Sequence, residues 1–91
     1  MPLSFLTAAD LQQQLADAIR LRRKGHKWSR QQLAERSTVS ASTIKKFETT
    51  GQISLRQFIL LWQCVDNLDG LAQLTAEQPV EPGSISEVLK Q

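Results

Sequence analysis

The chain contains few of the residues on which enzymes and secreted proteins depend. Its 91 residues include one cysteine, one histidine and no tyrosine. The single cysteine, Cys64, excludes a disulfide within the chain and an all-cysteine metal site. There is no glycine-rich phosphate loop, and no nucleophile and base occur in a recognisable catalytic pattern. We therefore expect a protein without catalytic residues, cofactor or metal.

Long apolar runs are also missing. The longest is a few residues, whereas a membrane-spanning helix needs about 20. The first residues carry no basic stretch ahead of a long apolar block, so we expect no secretory signal. A chain of this length forms one domain, because a single small core is all that it can bury. These features predict a one-domain protein in a reducing cytoplasm and not in a membrane.

Charge is plentiful but unevenly distributed. The chain has 11 basic and 9 acidic residues, and ten of the basic ones lie between residues 20 and 56. Only Glu35 and Glu48 oppose them there, which gives that segment a net charge of +8. From Asp66 onward, acidic residues predominate. Such a basic segment favours a polyanion as the partner of one face. The alternative is a solvated basic surface that has no partner.

A repeated capping pattern marks the starts of helices. A hydroxyl residue follows an apolar one, and a second apolar residue stands five places after the first, as in the helix N-cap with a hydrophobic staple. The four matches begin at Leu6-Thr7, Trp28-Ser29, Val39-Ser40 and Ile53-Ser54. Four such starts in a short chain predict an all-α fold.

Apolar spacing then predicts five helices, over residues 8–24, 30–36, 41–48, 55–65 and 68–74. Gly25 is the expected stop of the first helix. These helices assign residues 1–76 to the folded domain. Residues 77–91 contain Pro79, Pro82 and Gly83, which predict a flexible tail. Three apolar residues at helical spacing within the tail suggest a partner-binding or subunit-crossing peptide: Ile85, Val88 and Leu89.

The second and third helices are short and nearly contiguous, which predicts a helix-turn-helix. Their inner faces are expected to bury Leu33, Val39, Ile44 and Phe47. The outward face of the third helix would then present Ala41, Ser42, Lys45 and Lys46. Small residues followed by lysines fit the major groove of DNA, where they can reach base edges and phosphates. Phosphate contacts are expected at the start of the second helix, from Lys27, Ser29, Arg30 and Gln31.

The stretch WSRQQLAERSTVSASTIKKFE resembles the DNA-binding motif of the Cro/CI-type (Xre) repressor family, and the resemblance covers residues 15–74. It is carried by Leu33-Ala34, Val39-Ser40, Thr43-Ile44 and Phe47-Glu48. The following stretch, FETTGQISLRQFILLWQ, resembles a narrower group, the HipB-like antitoxins that are encoded beside HipA-type kinase toxins. In that group a Phe-Glu pair precedes Thr-Gly, and Ser-Leu opens the next helix.

The resemblance implies a five-helix lambda-repressor-like fold, a homodimer on a palindromic DNA operator, repression of its own operon and binding of a HipA-like kinase toxin. It also places DNA contacts at the beginnings of the second and third helices. Those positions are Arg30 and Gln31, then Ser40, Ala41, Ser42, Thr43, Lys45 and Lys46. One position departs from the family pattern: Thr38 occupies the turn site that is usually glycine. A β-branched residue with positive φ is strained, so either the turn bends differently or strain is tolerated.

The leucines near the end of the domain exceed what so small a core can bury. We expect a dimer contact formed by Leu60, Cys64, Leu68, Leu71 and Leu74, because paired half-sites require paired subunits. The alternative is that these residues close the monomer core.

Several other residues suit structural roles. We expect Trp28 and Trp62 to pack against other side chains and not to stack on bases, and we expect Glu48 to pair with a nearby cation. The basic run at residues 20–24 suits either a solvated helix end or contact with the DNA backbone.

Two rival functions remain open: a standalone or phage repressor of the same family, and a protein-interaction adaptor that has lost DNA binding.

Overall fold

The computed structural model describes residues 5–76, and these residues are all helical apart from the connections, with no strand among them. Five α-helices are followed by one 3₁₀ turn. They are α1 (Ala8–Gly25), α2 (Arg30–Ser37), α3 (Ala41–Thr50), α4 (Leu55–Val65), α5 (Asp69–Ala72) and the turn Gln73–Thr75. The all-α prediction is confirmed. The last helix is shorter than predicted, because its second half tightens into the 3₁₀ turn. The predicted tail, residues 77–91, lies outside the described residues.

Hydroxyl caps begin the first four helices, as the sequence predicted. The Thr7 hydroxyl accepts a hydrogen bond from the backbone N–H of Asp10 at 3.0 Å. The caps of the next three helices make the equivalent bond: Ser29 in α2, Ser40 in α3 and Ser54 in α4. Each bond satisfies a backbone donor that has no partner inside the helix. Local sequence therefore sets where these helices begin.

The core lies where α1, α2, α3 and α4 meet. Its nine buried apolar residues are Ala16, Ile19, Leu33, Val39, Ile44, Phe47, Phe58, Leu61 and Val65. The four residues predicted to line the inner faces of the second and third helices are all among them, so that prediction is confirmed. Small Ala16 is fully buried on α1, the helix that packs most extensively on α3. This close packing determines which face of α3 remains exposed to solvent.

Both tryptophans pack against protein side chains. Trp28 stacks on the His26 ring at a centroid distance of 4.3 Å, and the Arg36 guanidinium lies 4.5 Å from the Trp28 ring centre. Trp62 packs against Phe58 and lies under the Arg22 guanidinium. These cation–π contacts join the ends of α1, α2 and α4. The packing interpretation of the two tryptophans is confirmed.

The end of α1 differs from the expected glycine stop. Gly25 is the last helical residue, and the left-handed residue is Lys27, with a φ of 62°. The N–H of Lys27 donates to Lys24 O at 2.9 Å, and the N–H of Trp28 donates to Arg23 O at 3.1 Å. This is the pair of bonds of a Schellman motif. Two residues beyond the glycine, a lysine therefore adopts the conformation that glycine usually supplies.

The connection between α2 and α3 is also left-handed at a residue other than glycine. Thr38 has a φ of 65°, and its N–H donates to Ala34 O at 2.9 Å. The turn thus has the left-handed conformation that glycine usually adopts, and the strain of a threonine there is tolerated.

The glycine that does occupy a left-handed position, Gly51, lies with its Cα so close to α1 that a Cβ there would approach the backbone of Gln12 at 3.2 Å.

Replacing Thr38 by glycine should stabilise the protein. A left-handed β-branched residue is strained by about 1–2 kcal/mol, and the greater entropy of an unfolded glycine offsets part of that gain. We expect Thr38→Gly to raise the free energy of unfolding by about 1 kcal/mol in urea titrations. The control is Thr49→Gly, in the regular part of α3, which should lower stability by a few tenths of a kcal/mol. Equal destabilisation by both variants would contradict strain at Thr38.

Candidate functional site

The residues predicted to contact DNA lie together at the surface of α2 and α3, and none of them is buried. We call this set the α2–α3 surface. Seven of its residues are exposed: Lys27, Ser29, Gln31, Ser40, Ser42, Lys45 and Lys46. The other three are half-buried: Arg30, Ala41 and Thr43. The structure therefore brings the predicted site residues onto two consecutive helices and the loop that precedes them.

Hydroxyl groups crowd the amino end of α3. The Ser40 hydroxyl donates to Thr43 Oγ1 at 2.8 Å and lies 3.2 Å from Ser42 Oγ. It also accepts the capping bond from the Thr43 N–H. Serine and threonine hydroxyls both donate and accept, so this network can present either function to a ligand at the helix start.

The first turns of α2 and α3 contain no acidic residue. In α1, by contrast, Asp10 occupies the first turn and completes a capping box. A helix amino end carries a partial positive charge, which an aspartate or glutamate would offset. At α2 and α3 this positive potential is left for an external anion.

Two lysines complete the outward face of α3. Lys45 and Lys46 are exposed, whereas Ile44 and Phe47 on the same helix are buried. The helix is therefore divided into an apolar side against the core and a side of hydroxyls and ammonium groups against solvent. That division is what a helix needs to insert into a groove without giving up its own packing.

A buried carboxylate lies directly behind this surface. Glu48, on the inner side of α3, accepts hydrogen bonds from Arg23 Nε at 2.7 Å and from a second nitrogen of the same guanidinium at 2.9 Å. A third bond comes from Arg30 Nε at 3.0 Å. Arg23 also donates to Trp28 O at 2.8 Å. The cluster links α1, α2 and α3 through charge-assisted bonds.

The glutamate is fully ionised at neutral pH. Burial by itself raises the pKa of the Glu48 carboxyl, but hydrogen bonds from Arg23 and Arg30 and the charges of both outweigh it and hold the pKa below its usual value. Because Arg30 also belongs to the α2–α3 surface and its side chain is one-third exposed, Glu48 orients a guanidinium that still has free donors toward solvent.

Part of the basic run at the end of α1 is internal. Arg23 is 7% exposed and belongs to the Glu48 cluster, so it does not present a charge to an outside partner. Arg22 pairs with Asp66 at 2.8 Å across to the end of α4. Arg20 and Lys24 are exposed. The hypothesis of backbone contact therefore applies to these last two and is wrong for Arg23.

Sequence reasoning expected a cation for Glu48 but did not identify Arg23, although the spacing contained the signal. Arg23 stands four residues after buried Ile19, and Glu48 stands four residues after buried Ile44. Residues four apart share a helix face. Both charged residues thus extend apolar stripes into the core, where opposite charges must pair.

The residues predicted for a dimer contact are distributed along α4 and beyond. Leu60 and Cys64 are half-buried on α4, and burial raises the pKa of the Cys64 thiol. Leu71 is half-buried, whereas Leu68 and Leu74 are 39% and 81% exposed. Three of the five therefore lie on the short segment that follows α4. The predicted peptide residues Ile85, Val88 and Leu89 lie outside the described residues.

The described range, residues 5–76, contains neither a metal-binding cluster nor a membrane-spanning helix. In that range no group of three or more His, Cys, Asp or Glu side chains is placed to hold a metal ion. His26, the single histidine, places Nε2 3.0 Å from Val65 O and so joins α1 to α4. No helix in the same range is long and apolar enough to cross a bilayer.

No protein-family model, curated protein or solved structure matches this chain. Its function must therefore be argued from its own residues and from the motif resemblance described above. The features that bear on function are the α2–α3 surface, the Glu48 cluster behind it, and the exposed leucines near the end of the described chain.

Replacing Glu48 by glutamine should destabilise the fold and change its response to acid. Removing one partner of a buried ion pair costs about 3–5 kcal/mol, because Arg23 would remain buried with its charge uncompensated. We expect that loss for Glu48→Gln in urea unfolding at pH 7. Since the Glu48 pKa is lowered in the folded state, its contribution is present above the ordinary glutamate pKa and is lost as the pH falls through the lowered value. The difference between the wild type and the variant should therefore narrow in acid.

The control is Glu35→Gln, which removes an exposed carboxylate from α2. This variant should unfold within about 0.5 kcal/mol of the wild type at every pH. Similar losses for the two variants would show that total charge, and not the buried cluster, is responsible.

Proposed function

We propose that the chain is a sequence-specific DNA-binding repressor that inserts α3 into the major groove of an operator and acts as the antitoxin and autoregulatory subunit of a HipBA-like toxin–antitoxin operon. In this proposal α2 and α3 form a helix-turn-helix within a lambda-repressor-like domain. Repression follows from two recognition helices occupying the promoter, and no chemistry is performed.

One observation carries the DNA-binding part of the proposal. The outward face of α3 combines small and hydroxyl residues at its start with Lys45 and Lys46 one turn later, over an inner face that is closed by the core. Ala41 allows a close approach to bases, and Ser42 can donate to or accept from a base edge. Lysine ammonium groups suit guanine acceptors and phosphates.

The start of α2 supplies contacts to the DNA backbone in this arrangement. Gln31 and Ser29 are exposed there, and the half-buried Arg30 is oriented by Glu48. A guanidinium held in place loses less freedom when it binds phosphate. Lys27 adds an exposed ammonium at the loop before α2. Such contacts fix the register on DNA without reading sequence.

Two copies of the chain are part of the proposal, because the helix-turn-helix reads palindromic half-sites about 34 Å apart. The residues proposed to join the copies are Leu60, Cys64, Leu68, Leu71 and Leu74. Their partial exposure in one chain leaves apolar surface for a symmetric contact.

The toxin-related part of the proposal is supported by the HipB-like pattern around Phe47, Glu48, Thr50 and Gly51, followed by Ser54-Leu55. In the structure, three residues of that pattern have structural roles: Glu48 joins the buried cluster, Gly51 ends α3 and Ser54 caps α4. The pattern therefore supports a related domain, and the kinase partner rests on the resemblance.

Replacing both lysines of α3 should weaken operator binding. Each base-reading contact that is lost costs about 1–3 kcal/mol, or about five- to 150-fold in affinity, so we expect Lys45→Ala/Lys46→Ala to bind at least about fivefold more weakly. The measurement is fluorescence anisotropy with duplex DNA from immediately upstream of the protein's own reading frame. Both side chains are exposed, so thermal unfolding should be unchanged.

The matched control is Arg56→Ala/Lys90→Ala, which removes the same charge from exposed Arg56 on α4 and from a position near the end of the sequence, neither of which is assigned to DNA. It should affect the upstream duplex much less than the α3 variant does. Equal losses in the two variants, or equal losses on a shuffled duplex, would indicate a general charge effect. Failure of the wild-type chain to bind the upstream DNA would favour an adaptor that has lost DNA binding.

Expression from the native operon tests the toxin-related part separately. We expect the chain to co-purify as a dimer with a kinase-like product of the adjacent gene, and native mass spectrometry with and without the upstream duplex measures the stoichiometry. A chain that binds the duplex as a dimer but captures no product of its operon would instead be a standalone repressor.

A further inference from the structure

An apolar groove is formed by α1, α4 and the end of the described chain. Its volume is about 540 Å³. Its main walls are Leu11 and Leu15 on α1, Phe58 and Ile59 on α4, and Leu71 and Leu74 near the end of the described chain. Among residues 5–76 no charged side chain lines it, so an occupant must present apolar groups.

The groove is incompletely closed by residues 5–76. Leu74 is 81% exposed, and Leu55, at the edge of the groove, is 75% exposed. The short α5 contacts the 3₁₀ turn that follows it more than it contacts any other helix. Because this segment has few contacts with α1 and α4, the groove stays open between it and the body of the domain.

A second copy of the chain is a poor match for this groove as its main occupant. A standard protein–protein interface uses about 20–30 residues on each side, whereas fewer than ten line the groove. A short amphipathic peptide with anchors at i, i+3 and i+4 fits a narrow apolar groove better.

The chain itself carries such a peptide close by. The described residues end at Ala76, directly after Leu74 and Thr75 of the groove wall. Fifteen residues follow, and Ile85, Val88 and Leu89 have the i, i+3, i+4 spacing. The eight residues between Ala76 and Ile85 allow a separation of at most about 30 Å, so Ile85 can reach the groove. Such tethering gives an effective concentration of about millimolar.

Charge is also compatible with this occupant. The peptide region contains Glu77, Glu81 and Glu87 but only one basic residue, Lys90. The only charged residue of α4 is Arg56, exposed next to Leu55 at the groove edge, and the first turn of α4 contains no acid. An acidic peptide with an apolar side therefore meets an apolar groove beside a cation and a helix amino end.

We propose that the C-terminal segment of this chain docks in the groove of its own protomer, with Ile85, Val88 and Leu89 against Leu11, Leu71 and Leu74. The segment completes the packing between α1, α4 and α5. Docking would remove Leu71 and Leu74 from the dimer contact proposed above, which would then consist of Leu60, Cys64 and Leu68. This inference does not depend on DNA binding.

Methyl NMR of the full-length chain tests the proposal. The variant Ile85→Asp/Val88→Asp/Leu89→Asp should shift the methyl resonances of Leu11, Leu71 and Leu74 and make them more sensitive to a paramagnetic probe in the solvent. The methyl resonances of Leu33 and Ile44, which report the core, should not move. The matched control Ser84→Asp/Ser86→Asp/Gln91→Asp adds the same charge to the same segment and should leave all five residues unchanged.

Three outcomes would overturn the proposal. Groove resonances that are identical in the wild type and the apolar-to-aspartate variant would show that the segment does not dock there. Shifts that depend on protein concentration would identify a second copy as the occupant. Groove shifts caused by Leu3→Asp/Phe5→Asp, and absent from the C-terminal variant, would identify the amino-terminal segment. Shifts in the C-terminal variant that do not depend on concentration support docking within one protomer.

Discussion

The buried carboxylate of Glu48 is the constraint on which the arrangement of α1, α2 and α3 depends. It is fully enclosed and is bound by Arg23 from α1 and by Arg30 from α2. A buried charge is tolerated only when partners surround it, so neither helix can move away from α3 without exposing an unpaired group. The helix that presents the lysines is thereby held in one orientation by a residue on its own inner side.

This constraint changes how the basic composition of the chain is interpreted. Residues 20–56 contain ten basic residues, yet Arg23 is buried and Arg22 pairs with Asp66. Charge counted along the sequence therefore overstates what an external polyanion would meet. Seven basic residues of this segment remain exposed, and three of them lie at the loop before α2 and on α3: Lys27, Lys45 and Lys46. Position relative to the two helix starts, and not total charge, distinguishes this surface.

The sequence predicted features that depend on neighbouring residues, such as helix starts, but not features that depend on contacts between residues far apart in the chain. Caps such as Ser29 and Ser54 fix helix starts within a few residues, and the bounds of α4 were predicted correctly. The outward position of Lys45 followed from the buried positions of Ile44 and Phe47. The pairing of Glu48 with Arg23 could not be predicted in the same way, because the two residues are 25 positions apart in the sequence. The groove beside Leu74 was also missed, since it depends on how a short terminal helix lies against α1 and α4.

The two left-handed residues connect backbone strain to the candidate site. Within residues 5–76, Lys27 and Thr38 are the non-glycine residues with positive φ, and they flank α2 on its two sides. Strain of this kind persists only where surrounding structure determines the conformation. Around α2, three sets of contacts determine the backbone conformation. They are the Schellman bonds at the end of α1, the hydrogen bond from Thr38 N–H to Ala34 O, and the hydrogen bond from Arg30 Nε to Glu48. All three act on α2 or on the residues beside it, so the helix that is proposed to touch the DNA backbone is held at both ends by contacts of the fold.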